Sequence, residues 1–376
     1  MRRSVEMVVS QYPPVYGGAG KQAALLGEML GARGVKVSVS TLDQNRVGNG
    51  GSGPIIVHRT RVPGWLPERL QQAYATVALS LRAFLKIMRS RPGAVHIHGA
   101  YWWSLAPAVA GRIVRSTVVL KVTRDGEDDP ATVFARTVFG FRVGALYGAS
   151  FRLAHKIIFL SDHAAAAAEG YGLQPKIRRL NNGVRLAQAE LGVDKKDKQP
   201  PVVLFVGYLV EHKGVKDLLR AWPSVRSTTE AELWLVGPDT GFYRELTDEI
   251  PKLISSAKAA GLGIRTLGHV PGHEMASIYA RASVFTLPSY REGMPNSLAE
   301  ALAFGCTVVA TAIPGIVDIV SERDAYLIRP GSVAELSEAL IKALETPLAP
   351  DRDVVRRLDI ATLAETYDTE IYGLPR

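Results

Sequence analysis

Two carboxylates stand eight residues apart in the stretch LPSYREGMPNSLAEALAFGCTVVAT, residues 287–311. An apolar strand pattern ends just before Glu292, which places this residue in the loop that follows a strand. Pro295 suits the first turn of a helix and Gly305 suits its end, so Glu300 falls inside that helix. A carboxylate at the carboxyl end of a strand can accept two hydrogen bonds from neighbouring hydroxyls of a ribose or a hexose. A Glu pair at this spacing is common and mostly lies at the surface, but its position between a strand and a helix favours a site for a sugar or a nucleotide.

A glycine-rich stretch, YGGAGKQA at 16–23, could contact phosphate groups through its backbone. From Gly18 it matches the G-x-G-x-x-G/A pattern of dinucleotide sites, and Asp43 stands where such sites carry an acid about twenty residues later. However, six residues with two prolines separate the preceding strand pattern from the glycines, which disfavours the tight turn of a dinucleotide site. Gln22 stands where a P-loop needs Ser or Thr. What remains is a helix N-terminus whose N–H groups can approach an anion, or a plain turn before a helix.

Strand-like and helix-like runs alternate along the whole chain, and they must position these residues. A helix is expected at 19–33, and the predicted strands are continuous and apolar, which indicates parallel sheets covered on both faces. The predicted strands are SVEMVVS (4–10), GVKVSVSTL (34–42), AVHIH (94–98), TVVLKV (117–122), KIIFLS (156–161), VVLFVG (202–207), ELWLVG (232–237), IRTLG (264–268), VFTLPS (284–289) and CTVVAT (306–311). The pattern is typical of the doubly wound α/β class.

The composition is that of a globular protein with a sizeable core: 376 residues, of which 47% are apolar and 22% are charged. The single cysteine, Cys306, excludes a disulfide framework and disfavours a thiolate metal cluster. No signal-peptide pattern is visible, and no apolar run approaches the ~18 residues of a membrane span. We therefore expect a cytoplasmic protein with two domains, the number that the chain length favours.

The charge is divided unevenly along the chain. Residues 1–190 hold 25 Lys and Arg against 11 Asp and Glu, a net +14, whereas residues 191–376 hold 20 against 25, a net −5. A basic half suggests contact with phosphate groups, an anionic membrane surface or nucleic acid, although a scattered solvated surface gives the same count. The sign changes at LGVDKKDKQPP (191–201), which has the composition of a linker. We therefore expect domains at 1–190 and 191–357, and a C-terminal helix at about 358–376 that could pack against either.

Two predicted helices in the basic half are both apolar and basic. Such a helix can lie on an anionic bilayer, or it can be a core helix with a solvated basic edge. In residues 66–91 the apolar residues at helical spacing are Leu70, Ala73, Val77, Leu81, Phe84, Leu85 and Met88, with Arg69, Arg82, Lys86, Arg89 and Arg91 around them. In residues 133–156 they are Phe134, Val138, Phe141 and Leu146, with Arg136, Arg142, Arg152 and Lys156 around them. Both interpretations stay open for each helix.

The segment around Glu292 and Glu300 resembles the E-x7-E signature of retaining glycosyltransferases, in particular glycosyltransferase family 4. The further stretches that resemble this family, in the right order, are YGGAG after the first strand, NNGV (181–184), FVGYLVEHKG (205–214) and LGHVPGHEMASIYARASVFTLPS (267–289). The resemblance covers nearly the whole chain. It implies the GT-B fold, in which two Rossmann-like, doubly wound parallel-sheet α/β domains face a cleft. The first would bind the acceptor, and the second would bind the nucleotide-sugar donor.

The resemblance also implies which residues hold the donor. Glu300 would bind the ribose hydroxyls, Glu292 would lie beside the donor sugar, and Lys213 would stabilise the charge that develops on the leaving diphosphate. The implied donor-binding residues are Gly18, Gly20, Gly207, Tyr208, Lys213, Glu292, Gly293, Met294, Pro295, Asn296, Ser297 and Glu300. Of these, the two glycines of the first domain would approach the diphosphate from the opposite side. The implied catalytic residues are Glu292 and Lys213, and His98 is a further candidate outside the family pattern.

The chain departs from the family pattern at two places. The family has Arg after the glycine of the phosphate loop, whereas this chain has Tyr208, whose hydroxyl can still donate a hydrogen bond. Many members carry His after the strand that corresponds to TVVLKV, whereas this chain has Thr123 and Arg124. His98, at the end of another strand, is a candidate to assist catalysis, or it is an ordinary strand-end histidine. The weaker candidates for acceptor binding are Tyr16, Lys121, Arg124 and Asp125.

The resemblance implies a retaining hexosyltransferase that needs neither a metal nor a cofactor. The adjacent Asp128 and Asp129 predict a solvated acidic turn. The expected partners are a nucleotide sugar and a glycan or polyprenyl-phosphate-linked acceptor, as in cell-surface polysaccharide or glycolipid assembly. The expected location is the cytoplasm, with peripheral contact to the anionic inner membrane surface as a further hypothesis.

Three other functions are compatible with parts of the sequence pattern. A GT-B protein could act differently, as a sugar-nucleotide epimerase does, or it could bind a sugar nucleotide without turnover. A phosphorylase would need a lysine in a context for pyridoxal phosphate, which is not seen. A nucleic-acid-binding protein would fit the charge of +14, but the chain shows neither an aromatic-rich β platform nor a helix-turn-helix pattern. No nucleic acid partner is therefore expected.

Overall fold

The chain forms two compact units. The computed structural model describes residues 2–14, 17–43, 50–52, 55–124, 126–138, 140–186, 199–238 and 249–375. Unit 1 comprises Met1–Gly183 together with Ile360–Arg376, and unit 2 comprises Val184–Asp359. Residues 191–198 of the predicted linker lie outside the described residues, as do two predicted acceptor-binding residues, Tyr16 and Asp125.

Within its described residues, unit 1 contains a sheet of seven parallel strands with one antiparallel edge strand, and a separate hairpin. The strands are β1 (Ser4–Val8), β2 (Lys36–Asp43), β3 (Gly50–Ser52), β4 (Ile55–Arg61), β5 (Ala94–His98), β6 (Thr117–Lys121), β7 (Thr137–Val138), β8 (Phe141–Arg142), β9 (Lys156–Phe159) and β10 (Ile177–Arg179). The sheet order is β10-β9-β6-β5-β1-β2-β4-β3, and β7 pairs with β8 in the hairpin. The direction in which strands are added reverses between β1 and β5, as in doubly wound folds.

Helices cover both faces of this sheet. They are α1 (Gly18–Ala32), α2 (Glu68–Ser90), α3 (Leu105–Ile113), α4 (Pro130–Phe134), α5 (Gly144–Leu153) and α6 (Asp162–Ala167). Buried residues of α1 share one apolar core with Val5 and Met7 of β1. Buried residues of α2, α3 and α5 share a second core with Val95 and Ile97 of β5. The continuous apolar character of the strands follows from this burial on both faces.

Unit 2 contains a fully parallel sheet within its described residues. Its strands are β11 (Val202–Val206), β12 (Glu232–Val236), β13 (Ile264–Gly268), β14 (Val284–Leu287), β15 (Thr307–Thr311) and β16 (Ala325–Ile328). The sheet order is β13-β12-β11-β14-β15-β16, which is the 3-2-1-4-5-6 order of the Rossmann fold. Its helices are α7 (Val215–Thr228), α8 (Glu249–Ala259), α9 (Met275–Arg281), α10 (Asn296–Ala303), α11 (Val333–Glu345) and α12 (Arg352–Arg356).

The C-terminal segment returns to unit 1. Its helix α13 (Ile360–Thr366) buries Ile360, Leu363 and Ala364 in the core that α1 also lines. A Cβ at Gly183 would lie 2.5 Å from the Ile360 side chain, so a glycine is needed where the two segments meet. The C-terminal helix therefore packs on the N-terminal unit.

The prediction of a doubly wound α/β protein is confirmed in both units. The predicted strands begin and end within two residues of the observed ones. The short or partly polar strands β3, β4, β10 and β16 were not predicted, because they lack a continuous apolar run.

The prediction of one continuous helix over 133–156 is wrong. Helix α4 ends at Phe134, the β7–β8 hairpin follows, and α5 begins at Gly144. The hairpin turn contains Gly140 with φ of +81°, a conformation that a helix cannot contain. At Gly144 a Cβ would lie 2.0 Å from the carbonyl oxygen of Phe134, so the chain folds back tightly on itself.

Helix α2 forms where it was predicted, but with a different face toward the core. Its buried residues are Ala75, Leu79, Ala83 and Ile87. Among the residues predicted as its apolar pattern, Leu70, Val77, Leu81 and Leu85 are exposed. The helix is therefore apolar on two opposite sides. Of the predicted residues, Phe84 and Met88 pack against the core, and the others lie on the outer side.

Candidate functional site

The strand order of unit 2 brings two predicted site residues together. The order reverses between β11 and β14, and ligands of doubly wound sheets bind outside the carboxyl ends of the strands at such a reversal. Lys213 lies in the turn that follows β11, and Glu292 lies in the loop that follows β14. Since these strands are hydrogen-bonded neighbours, both side chains reach the same edge of the sheet.

Lys213 and Glu292 form an ion pair at that edge. Lys213 Nζ lies 2.6 Å from Glu292 Oε1. The Ser289 hydroxyl donates a second hydrogen bond to the same carboxylate oxygen, at 2.7 Å. The Glu292 side chain is 8% exposed and the Lys213 side chain is 20% exposed. The pair is therefore shielded from most of the solvent, which strengthens its charge interaction and holds the ammonium group in one position.

Close backbone contacts position the turn that carries Lys213. Gly214 has φ of +70°, and a Cβ at this position would lie 1.9 Å from the carbonyl oxygen of Pro288. The backbone N–H of Tyr290 donates to the carbonyl oxygen of His212 at 2.9 Å. The turn after β11 and the loop after β14 therefore touch backbone to backbone, and this contact requires glycine at position 214.

The segment after β15 holds the Glu292 loop from its other side. The Thr311 hydroxyl donates to the carbonyl oxygen of Ser289 at 2.6 Å. Gly315, with φ of +81°, packs on the same loop, because a Cβ there would lie 2.2 Å from the carbonyl oxygen of Gly293. Three neighbouring strands thus position the Glu292 carboxylate. Sequence reasoning missed Ser289, Thr311 and Gly315, since each acts through contacts distant along the chain.

The rest of the predicted donor set in unit 2 follows the same two strands. The residues that follow β11 or β14 are Gly207, Tyr208, Lys213, Glu292, Gly293, Met294, Pro295, Asn296, Ser297 and Glu300. Met294 and Pro295 are buried, and Glu300 is half-buried in α10. Pro295 stands just before the helix, which begins at Asn296 as the sequence predicts.

The glycine-rich loop belongs to unit 1. Gly18 is exposed at the N-terminus of α1, whereas Gly20 is buried, and a Cβ at Gly20 would lie 2.1 Å from the carbonyl oxygen of Gln11. Packing therefore requires a glycine at position 20 whatever ligand is bound. Gln22 exchanges two hydrogen bonds of 2.9 Å with the backbone of Gly183, which ties α1 to the NNGV segment. Contact of Gly18 and Gly20 with a diphosphate stays a prediction.

His98 and Lys121 end the neighbouring strands β5 and β6 and are both buried. The His98 ring stacks on the His96 ring with centroids 4.1 Å apart. Burial and the nearby Lys121 hold the pKa of His98 well below its usual value, so its ring is neutral. Burial also lowers the pKa of Lys121 to about 7, and Lys121 Nζ donates to Asn182 Oδ1 at 2.8 Å. The roles of both residues toward a substrate stay predictions.

The prediction of a solvated turn at Asp128 and Asp129 is wrong. Asp128 is fully buried and accepts hydrogen bonds from the backbone N–H groups of Ala100, Thr123 and Arg124. Burial raises its pKa to about 6. Asp129 caps the N-terminus of α4. Asp128 thus joins the loops that follow β5 and β6, where polar side chains were expected to face water.

Two further side chains lie after these strands. Arg124 is half-exposed and pairs with Glu127 at 2.9 Å. Trp102, which was not predicted as a site residue, is exposed after β5. The Tyr147 and Trp102 rings are in edge-to-face contact, with their centroids 3.9 Å apart. The Arg136 guanidinium lies 5.8 Å from the centroid of the Trp102 ring. The aromatic run AYWW, which follows the strand pattern AVHIH, is the sequence signal for an exposed aromatic side chain at this strand end.

In the described residues, no group of three or more His, Cys, Asp or Glu side chains could hold a metal ion. No helix in that part of the chain is long and apolar enough to cross a membrane. Cys306 is buried, and its thiol donates to the carbonyl oxygen of Tyr279 at 3.5 Å.

Comparison with known proteins agrees with the site. The two doubly wound units and the acid pair after β14 define a protein of the GT-B fold class. A family model described as "Glycosyltransferase Family 4" matches residues 16–188, and one described as "Glycosyl transferases group 1" matches residues 200–346. The two models together match most of the chain, which identifies it as a GT-B glycosyltransferase like those of family 4.

Individual relatives are distant. A Bacillus subtilis glycosyltransferase named for teichuronic acid biosynthesis is 29% identical over 38% of this chain and 32% of its own length. The N,N'-diacetylbacillosaminyl-diphospho-undecaprenol alpha-1,3-N-acetylgalactosaminyltransferase of Campylobacter jejuni is 27% identical over 56% of this chain and 57% of its own. The chain thus aligns with about a third and somewhat more than half of these two proteins. Anabaena Alr3699/HepE in complex with UDP-glucose superposes with a TM-score of 0.67 at 16% identity, covering 98% and 95% of the two chains.

Proposed function

We propose that the chain transfers a hexosyl group from a nucleotide sugar to a hydroxyl group of a second substrate, with retention of anomeric configuration and without a metal ion. The observation that carries this proposal is the Lys213–Glu292 pair beside the reversal of strand order in unit 2. Ligands of doubly wound sheets bind at that point. Family membership supports the same class of reaction.

Lys213 is the residue that we expect to stabilise the leaving group. As the bond from the anomeric carbon to the phosphate oxygen breaks, negative charge grows on the departing nucleoside diphosphate. The acceptor hydroxyl oxygen bonds to the same carbon, and its proton is released. A cation already held in position lowers the energy of this charge without reorganising. The ammonium group has three N–H donors, and its hydrogen bond to Glu292 uses one of them.

The two glutamates have separate roles in this proposal. Glu300, inside α10, would bind the ribose hydroxyls, since a carboxylate can accept from two neighbouring hydroxyls. Glu292 would lie beside the donor sugar near its anomeric carbon. Gly293 and Met294 would offer backbone groups to the sugar and the phosphates. His98 is kept as a secondary candidate for catalysis.

We further propose a glycan or a polyprenyl-phosphate-linked sugar as the acceptor, in cell-surface polysaccharide or glycolipid assembly. The Campylobacter jejuni relative is named for a diphospho-undecaprenol-linked substrate. The net charge of +14 in residues 1–190 suits an anionic membrane surface, where such an acceptor lies. A cytoplasmic protein that reaches the inner membrane face would meet both substrates.

A thermal-shift panel of UDP-, GDP- and ADP-sugars without added metal tests the donor site. One nucleotide family should stabilise the wild type, by about 2.7 kcal/mol at 100 times its Kd. Glu300→Ala should lose this stabilisation. The matched control Glu338→Ala, at an exposed position of α11, should keep it. Stabilisation by none of the donors would contradict the proposal, and stabilisation without sugar transfer to any acceptor would indicate a non-catalytic binding protein.

A further inference from the structure

Helix α2 presents an uncovered apolar face. Five large apolar side chains are exposed along it at spacings of four, three, four and four residues, so they share one side of the helix. This α2 stripe consists of Leu70, Tyr74, Val77, Leu81 and Leu85. Val77 is 64% exposed, and Trp65, which precedes the helix, is 82% exposed. At 1.5 Å per residue the stripe is about 22 Å long.

The α2 stripe is not needed to hold the helix on unit 1. The opposite side of α2 already packs into the core through Ala75, Leu79, Ala83 and Ile87. Single exposed apolar residues are ordinary on protein surfaces, whereas a contiguous row of them marks a surface that contacts something else. The stripe therefore marks a surface open to an occupant other than the core of unit 1.

The charge around the α2 stripe indicates what that occupant is. The unit that carries α2 is basic, because residues 1–190 hold 25 Lys and Arg against 11 Asp and Glu. On the helix itself, Arg82 and Arg89 are exposed beside the stripe. A second copy of the chain would bring equally basic surfaces together, which costs energy. An apolar face bordered by cations instead matches an anionic lipid bilayer.

We propose that α2 docks on an anionic lipid bilayer, with the α2 stripe in the outer part of the acyl-chain region and Arg82 and Arg89 at the level of the headgroups. Moving aliphatic side chains from water into the acyl-chain region lowers the free energy. An arginine can lay its aliphatic stem along the apolar layer while its guanidinium reaches the headgroups. Trp65 has the character of residues that lie at membrane interfaces. The proposed function names a membrane only as the place of the acceptor, and this inference adds the surface that binds it.

Vesicle co-sedimentation tests the docking surface. Wild type should sediment with vesicles of phosphatidylcholine mixed with phosphatidylglycerol, and more weakly with phosphatidylcholine alone. Raising the salt concentration should weaken binding without abolishing it, because the apolar contact is not screened. The double variant Val77→Glu and Leu81→Glu should bind the vesicles at least about tenfold more weakly than wild type. The matched control Val317→Glu changes a valine that is 46% exposed in unit 2 and should bind as wild type does.

Several outcomes would overturn the proposal. One is a wild type that does not sediment with anionic vesicles, and another is a double variant that binds as tightly as wild type. A third is a wild-type dimer in light scattering that the double variant converts to a monomer, because a second copy would then cover the α2 stripe. The circular dichroism melt should be unchanged by both surface substitutions. Since the assay contains no donor, its result is independent of the thermal-shift test of the donor site.

Discussion

Replacing Gly214 by alanine should damage the site while leaving the fold intact. A Cβ at this position would lie 1.9 Å from the carbonyl oxygen of Pro288, whereas Cβ atoms essentially never approach closer than 3.0 Å. The turn after β11 and the end of β14 must therefore separate by about 1 Å, because a backbone carbonyl cannot rotate away like a side chain. Lys213 and Glu292 lie on these two segments, 2.6 Å apart. A misplacement of about 1 Å costs about 100-fold in rate at a reacting centre, so kcat/KM should fall by about that factor.

Gly261→Ala is the matched control. Gly261 has φ of +67°, close to the +70° of Gly214, but no atom lies within 4 Å of a Cβ built on it. Both variants carry the strain of a left-handed alanine, about 1–2 kcal/mol. Gly261→Ala should therefore show a Tm about 2–8 °C below wild type in a calorimetric or fluorescence melt, and Gly214→Ala should show a larger drop because of its added clash.

The assay is nucleoside diphosphate release from the donor identified by thermal shift. Only Gly214→Ala should lose activity, and its loss should persist at temperatures where the protein is fully folded. A Gly214→Ala variant with wild-type kcat/KM would refute the argument that the turn positions Lys213. An equal loss in Gly261→Ala would trace the effect to general destabilisation.

Three further predictions follow from single contacts. Ser289→Ala removes a hydrogen bond to the Glu292 carboxylate and should lower kcat/KM about tenfold in the same release assay, and an unchanged rate would contradict this. Asp128→Asn sets an amide N–H2 against backbone N–H donors in the core and should lower the free energy of unfolding in urea by about 1–3 kcal/mol, whereas a wild-type midpoint would contradict it. The pKa of Lys121 is about 7 in the folded chain and about 10.4 when unfolded, so the unfolded chain binds more protons between these values. The stability of wild type relative to Lys121→Met should therefore rise from pH 7 to pH 9, by up to about 1.4 kcal/mol per unit, and a constant difference would count against a neutral buried amine.

The segment around Glu292 could be predicted from sequence because its signals are local. An apolar strand, a proline before a helix and a glycine after it set the order of elements within 25 residues, 287–311. The structure has the same order, with α10 at Asn296–Ala303 and β15 at Thr307–Thr311. The ion pair of Glu292 with Lys213 was not predicted, because it depends on β11 and β14 being neighbours although they lie about 80 residues apart.

Helix α2 shows where periodicity fails. Its helical spacing was correctly recognised, but two opposite sides carry apolar residues, and a pattern alone does not tell which side is buried. Leu79 and Ile87 face the core together with two alanines, whereas the equally apolar Val77 and Leu81 face outward. Only the packing of α2 on the sheet separates the two sides.

Asp128 shows the same limit for polar residues. Adjacent acids near Gly126 read as a solvated turn, since most such turns are at the surface. The loops that follow β5 and β6 direct three N–H groups inward, and Asp128 accepts hydrogen bonds from them. Those donors belong to residues whose approach is set by the sheet, so the burial of this carboxylate could not be predicted from neighbouring residues.

The most direct test of the central claim is donor turnover by Lys213→Met and Lys216→Met, measured with EDTA present. Both variants lose a lysine ion pair from the same turn region, but Lys216 pairs with Glu249 at 2.6 Å, and only Lys213 pairs with Glu292. If Lys213 stabilises the departing diphosphate, wild type and Lys216→Met should release nucleoside diphosphate at similar rates, and Lys213→Met should be about 10²–10³-fold slower at saturating donor. Equal rates in the two variants, or no release by the wild type with EDTA, would contradict the account.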